Sequence, residues 1–241
     1  MPEHGFAAIV FDCDGVLLDS NELKTACFRE VLEAGGYEAG DIARFVEFQR
    51  ASFGMSRYRL FEALLGWELA VRPPLDRDHL LARYAEALGG RYVACTATPG
   101  MREVVGALAA RTPVYIVSGS DQAELRGVMA ERGDASMFRL ILGSPTNKFD
   151  NLMLVLEDLA KDGPVDPADL VFVGDAEADM TAARKAGLGF VYMDGFSAAQ
   201  PRMRALATEN GIPLIDDLRE LETALAQLQQ AHGQNRMTQT A

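Results

Sequence analysis

Asp12 and Asp14 stand one residue apart in the run AAIVFDCDGVLLDS, residues 7–20, where an apolar segment empties into two carboxylates. In an extended chain, alternation sends both aspartates to the same side and Cys13 elsewhere. Two close carboxylates, one of them ionised, suit a hard divalent cation and attack on phosphorus. Further chemistry-bearing residues are Ser118-Gly119-Ser120, Lys148 within GSPTNKFD, and Asp175 followed by Glu177 and Asp179. Each alone has a plain structural use: an acidic strand end closes a loop, a serine caps a helix, a lysine is solvated, and carboxylates at i, i+4 decorate a helix's first turn. Together they form the parts of a magnesium-and-phosphate site.

Such a site requires elements that bring these residues to one place. The runs AAIVFD, PVYIVSGS, FRLILG, LVFVGD and GFVYMD read as strands, and helical periodicity fills the intervals between the last four. Met101, Val104, Val105 and Leu108, for example, fall at i, i+3, i+4 and i+7. Alternating strands and helices imply an α/β fold, a parallel sheet with helices on both faces. Ligands bind beyond the carboxyl ends of such strands, so Asp12, Asp14, Ser118, Gly119, Lys148, Asp175 and Asp179 are expected to converge. Between Ser20 and about Thr98 no strand is evident. Helical patterns at 21–35, 41–53, 56–69 and 76–92, broken by Gly35-Gly36, Gly54 and Pro73-Pro74, read as an inserted all-helical cap domain. The expected division is a core of residues 1–20 and 96–226, a cap of 21–95, and a flexible tail of 227–241, whose polar sequence lacks a sustained apolar stripe.

Composition limits the alternatives. The 241 residues are 49% hydrophobic and 24% charged, ordinary values for a soluble globular chain. No apolar run is long enough to span a bilayer, and the first ten residues lack the features of a signal peptide, so a cytoplasmic location is expected. Cys13, Cys27 and Cys95 are odd in number and form no Cys-x-x-Cys pair, against both a disulfide framework and a structural zinc site. A formal net charge of −12 opposes nonspecific binding to nucleic acid or an anionic membrane. A P-loop and a Gly-x-Ser-x-Gly elbow are both missing, which disfavours kinase and serine-hydrolase chemistry. Oligomeric state is not legible.

These four stretches, in this order, resemble the motifs of the haloacid dehalogenase-like hydrolases, most of which are phosphatases. The resemblance covers nearly the whole chain and implies a Rossmann-like core. It implies that Asp12 is the nucleophile, forming an aspartyl-phosphate, and that Asp14 is general acid and base while its backbone carbonyl binds the metal. Ser118, with Ser120 as the substitute, and the Gly119 amide would hold phosphoryl oxygens. Lys148 would neutralise nucleophile and phosphate, and Asp175 and Asp179, in GDAEADMTAARKAG, would complete a Mg2+ site with Asp12. Glu177 has no role in the pattern. As an acid near neutrality, Asp14 is expected to have a raised affinity for protons under a closed cap.

Departures from the pattern exclude neighbours within the family. Dehalogenases lack the second aspartate, so Asp14 disfavours carbon-halogen cleavage. Phosphonatases replace it and recruit a cap lysine, leaving Lys24 without that role here. Phosphomutases of the β-phosphoglucomutase type share all four motifs and remain the alternative; they need a second phosphate site, usually a cap arginine. Arg57, in Gly54-Met55-Ser56-Arg57-Tyr58, is the candidate for a substrate contact, against the plain reading of a solvent-facing helix residue. This segment is similar to one in family phosphatases of surface-polysaccharide sugar pathways. The expected partner is therefore a small phosphorylated metabolite, a sugar or polyol phosphate. A noncatalytic phospho-ligand or partner-binding protein ranks third, since Asp12 and Asp175 are both retained.

Overall fold

β-Branched and aromatic residues dominate the apolar runs, and such residues fit a pleated, buried surface. In a computed structural model they form one sheet. The structure describes residues 5–71 and 73–239, with side chains described as far as residue 231; His4 and the expected tail residues 240 and 241 lie outside this set. Strands β1 (Ala8–Phe11), β2 (Val114–Asp121), β3 (Leu140–Ser144), β4 (Leu170–Gly174), β5 (Gly189–Met193) and β6 (Leu214–Ile215) are all parallel, in the order β3-β2-β1-β4-β5-β6. The five expected strands all form. β6 was not expected: two residues are too few for alternation to register.

From β1 the chain departs into four helices, α1 (Asn21–Gly35), α2 (Ala39–Ala51), α3 (Arg57–Leu65) and α4 (Arg77–Val93), before it returns to the sheet. All four coincide with the helical patterns in the sequence. Their shared interior is aromatic, with the Phe28 ring centroid 5.5 Å from Phe45, 5.3 Å from Phe61 and 4.3 Å from Tyr84. The outgoing and returning chains run side by side: the Asp19 amide donates to the Thr96 carbonyl (2.9 Å) and the Thr98 amide to the Leu17 carbonyl (3.0 Å).

The remaining helices are α5 (Met101–Ala109), α6 (Gln122–Glu131), α7 (Lys148–Leu159), α8 (Glu177–Ala186), α9 (Gln200–Asn210) and α10 (Leu221–Gln239). Period-two alternation sorts the strands' side chains onto two faces. Ile9, Phe11, Ile116, Val171, Val173 and Val191 pack with α5, α6 and α10, in an apolar layer that runs on into the four-helix insert. Val10, Tyr115, Val117, Phe172 and Tyr192 pack with α7, α8 and α9 on the other face. The expected tail needs correction: α10 continues through residue 227 to Gln239, and Leu225 is buried against the first layer with Leu228 packed beside it. Leu221, Leu225 and Leu228 anchor the first two turns of α10 to that layer.

β1 lies between β2 and β4, so the connections that follow it depart to opposite sides of its carboxyl end. That divergence opens a crevice directly after Phe11, and Asp12 is the next residue.

Candidate active site between the sheet and the helical insert

Asp12 continues β1, its amide donating to the Val173 carbonyl at 2.9 Å, while its side chain turns into the crevice. One carboxylate oxygen, Oδ1, accepts the Cys13 amide (2.8 Å); the other, Oδ2, accepts Lys148 Nζ (2.9 Å). Lys148 is the first residue of α7, a place fixed by the N-cap Asn147, whose side chain accepts from the Asp150 amide at 3.0 Å. Its ammonium also donates to Asp179. Burial alone would lower the Lys148 pKa, but the flanking Asp12 and Asp179 charges outweigh it and hold the amine firmly protonated.

Asp179 lies in the first turn of α8, where Oδ2 reaches back to accept the Ala176 amide at 3.1 Å. Asp175, just past β4, accepts Asn21 Nδ2 at 2.8 Å, and Ser197 Oγ donates to its carbonyl at 2.6 Å. Gly15 must lack a side chain here: its φ is +74°, and a Cβ would stand 2.2 Å from Asp175 Oδ2. Carboxylate oxygens of Asp12, Asp175 and Asp179 all lie within 4.8 Å of one another, and all three residues are buried. Burial, then Asp179 and Asp12, pushes the Asp175 carboxyl well above the usual range. Asp179 is pushed up to about 7 by burial, with Asp12 adding to the rise against the Lys148 charge. Three buried acids with one ammonium are under-neutralised, and their hard oxygen donors fit a divalent cation.

Asp14 departs from expectation. Burial would raise its pKa, but the Lys24 charge, aided by hydrogen bonds from Lys24, Ser20 and Ser120, wins and holds the carboxyl down to about 2. Lys24 Nζ is 2.5 Å from Oδ2, which also accepts Ser120 Oγ at 2.8 Å; Oδ1 accepts Ser20 Oγ at 2.6 Å and Tyr92 OH at 2.8 Å. The raised proton affinity expected for Asp14 is thus reversed in this closed arrangement. The reason is one lysine from α1, which the sequence reading left without a role.

Ser118 is buried, its Oγ accepting the Ser120 amide at 3.2 Å, and Gly119 and Ser120 line the cavity. From the insert, Gly54 closes the cavity: at φ +84°, a Cβ there would lie 2.8 Å from Ala178 Cβ and 3.7 Å from Lys148 Nζ. The space there is about 60 Å³, also lined by Asp12, Asp14, Lys24, Gln49, Arg57, Lys148 and Asp175. That is room for a few waters. Arg57 is no solvent-facing residue. It is 7% exposed, donates to both carboxylate oxygens of Glu124 on α6, and lies 4.7 Å from the Tyr84 ring.

A family profile described as haloacid dehalogenase-like hydrolase matches residues 6–187. The chain belongs to this family. Its relatives include a phosphoglycolate phosphatase of Pseudomonas fluorescens, 26% identical over 220 residues that cover 88% of this chain and 77% of that one. Fructose-1-phosphate phosphatase YqaB of Escherichia coli is 26% identical over 192 residues, 77% of this chain and 95% of YqaB. Among solved structures, CbbY from Rhodobacter sphaeroides in complex with phosphate superposes with a TM-score of 0.71 at 19% identity, covering 90% of this chain and 96% of CbbY, a likeness of fold. Among the described residues, no helix is long and apolar enough to cross a membrane.

Asp12, Asp14, Gly119, Lys148 and Asp175 meet around one cavity, with Asp179 beside Lys148. Asn21, Gln49, Tyr92 and Glu124 were not singled out by sequence, and Lys24 was left without a role. The one available signal was helical spacing in α1, where Asn21 and Lys24, three residues apart, share the face toward the site.

Proposed function

We propose that this chain is a magnesium-dependent phosphatase that hydrolyses a small phosphate monoester, a sugar or polyol phosphate. The observation that carries the reading is Asp12, a buried carboxylate held by the Cys13 amide and Lys148 beside two further acids. Asp12, Asp175, Asp179 and the Asp14 carbonyl would hold the metal. Bound there, Mg2+ would supply charge that screens a phosphate dianion from an attacking carboxylate.

The chain's own residues divide the remaining work. Asp12 attacks phosphorus, making an aspartyl-phosphate and breaking the bond to the ester oxygen. Lys148 neutralises the equatorial oxygens as charge accumulates, while the Gly119 amide and the Ser118 or Ser120 hydroxyl orient them. Asp14 gives its proton to the departing alkoxide, then takes one from the water that attacks the phosphoenzyme, releasing phosphate and restoring Asp12. For the first of these steps Asp14 must leave Lys24 and acquire a proton, which substrate entry and reclosure of the insert would bring about. In this reading residues 21–95 act as the cap on a core of 1–20 and 96–226. The paired backbone segments at 17–19 and 96–98 serve as its hinge.

The mutase alternative gains no support, because Arg57, its candidate for a second phosphate, is already paired with Glu124. The deciding experiment is phosphate release with Mg2+ across sugar phosphates, polyol phosphates, phosphoglycolate and nucleotides. Stoichiometric release from one class is expected. Isomerisation dependent on a bisphosphate primer, with little free phosphate, would replace the phosphatase by a mutase.

A further inference from the structure

The cavity's cations are all committed. Among its described lining residues they are Lys24, Arg57 and Lys148, and each sits in an ion pair: with Asp14, with Glu124, and with Asp12 and Asp179 respectively. The Arg57–Glu124 pair is the one furthest from the reacting groups. Arg57 opens α3 in the insert, while Glu124 lies in the first turn of α6 in the sheet domain. The Glu124 amide donates to the N-cap Asp121 at 2.9 Å, and Tyr58 OH donates to the same aspartate at 2.5 Å, so two adjacent contacts brace the pair. Glu124 stands behind the arginine and does not itself line the cavity.

Beside Arg57 the cavity wall carries the side chains of Phe28 and Leu60 and the ring of Tyr84, and Gln49 presents to it a polar group with a free end. Gln49 is 5% exposed, and one end of its amide is held by Thr25 Oγ1 at 3.1 Å. The other end has no partner among the described residues. Thr25 Oγ1 is also 3.1 Å from the Asn21 carbonyl, so the amide serves in either orientation: its free end donates in one and accepts in the other. A hydroxyl both donates and accepts, and so satisfies either. A carboxylate or second phosphate would meet a wall with no uncommitted cation and a glutamate just beyond it.

We infer that Glu124 masks Arg57, so that the insert's side of the cavity selects phosphate esters whose leaving group is uncharged and hydroxylated, with Gln49 taking the hydroxyl, and rejects those carrying a second anion. This rests on the phosphatase reading and narrows its substrate. It makes Glu124 a specificity-determining residue that acts through Arg57.

Two esters that differ only at the far end test it: 2-hydroxyethyl phosphate and phosphoglycolate, a hydroxymethyl group against a carboxylate. The quantity read is the ratio of their kcat/KM values within each variant, in the full chain with Mg2+, so that any general loss of activity or closure cancels. The wild-type chain should favour the hydroxyl ester by about ten-fold or more. Glu124→Gln should move the ratio toward the carboxylate ester by about ten-fold or more, because the released guanidinium can then pair with it. The double variant Arg57→Gln with Glu124→Gln should lose that gain. Gln49→Met should raise KM for the hydroxyl ester about three- to ten-fold, the share of one neutral hydrogen bond. A wild-type preference for phosphoglycolate, a ratio unmoved by Glu124→Gln, or a gain that survives in the double variant would each overturn the inference. Failure of the phosphatase reading looks different: no release from either ester or from an aryl phosphate with Mg2+ present.

Discussion

Lys24 Nζ lies 2.5 Å from Asp14 Oδ2, on the same oxygen that takes the Ser120 hydroxyl. A residue of the insert thereby sets the protonation state of a residue of the sheet domain. Burial pushes the Asp14 pKa up and this contact pulls it down, to about 2. A carboxyl depressed below its unfolded value contributes stability that is present above that value and lost as pH falls through the folded one. Lys24→Met should therefore raise the Asp14 pKa and remove about 2 kcal/mol of stability at neutral pH. Carboxyl carbon-13 titration of the two proteins, with urea unfolding at pH 7, checks both parts. An Asp14 pKa that stays put in the variant would contradict the assignment.

Asp12→Asn should leave the fold intact and remove turnover, by about a thousand-fold or more, since the amide keeps the shape but cannot attack phosphorus. Lys148 retains Asp179 in that variant, so its ammonium is not stranded. Unchanged circular dichroism with no phosphate release is the expected pair of results. Near-normal rates would remove Asp12 from the nucleophile's role.

What was legible in the sequence were the elements and residues fixed by local pattern. Alternation marks five strands, helical spacing marks α1 to α4, and strand-end position gathers Asp12, Lys148 and Asp175. The residues missed were those whose role depends on how the insert meets the sheet. Lys24, Gln49 and Glu124 are unremarkable charged or polar helix residues in sequence, and only the closing of α1, α2 and α3 onto β1 and α6 brings them to the cavity. Asp14 lines the cavity, and its proton affinity runs opposite to the expected one for the same reason. α10 runs on into the expected tail from turns that Leu225 and Leu228 dock on a distant layer, a contact that no local stripe reports.

Gly54→Ala tests the closed position of the insert. The glycine's φ of +84° disfavours any other residue by about 1–2 kcal/mol, and the added methyl would meet Ala178 Cβ at 2.8 Å. Both penalties fall on the arrangement in which Gly54 packs against Ala178 over the site. The expected outcome is a fall in kcat/KM for every ester alike, with unfolding stability reduced by no more than the backbone term. A variant that loses activity on one ester class alone would show Gly54 reading the substrate instead of closing the site.

The three-acid cluster makes a prediction that needs no turnover. A carboxyl whose folded pKa is raised binds its proton more tightly when folded, so the folded state holds more protons between the unfolded and folded values. Stability then falls as pH rises through that window. For Asp179 the window runs from the ordinary 3.8 to about 7, and Asp175 moves in the same direction. In chelator the protein should accordingly lose stability between about pH 4 and pH 7, the sign opposite to that of Asp14. Mg2+ at a hundred times its dissociation constant should return about 2.7 kcal/mol, roughly 5–10 °C in melting temperature for a chain of this size. Asp179→Asn relieves the repulsion without metal, so it should melt higher than the wild type in chelator near pH 8 and gain less from Mg2+. Melting curves for both proteins, with and without the ion, decide it. Equal melting temperatures for the wild type in chelator and in magnesium would leave Asp12, Asp175 and Asp179 without their cation.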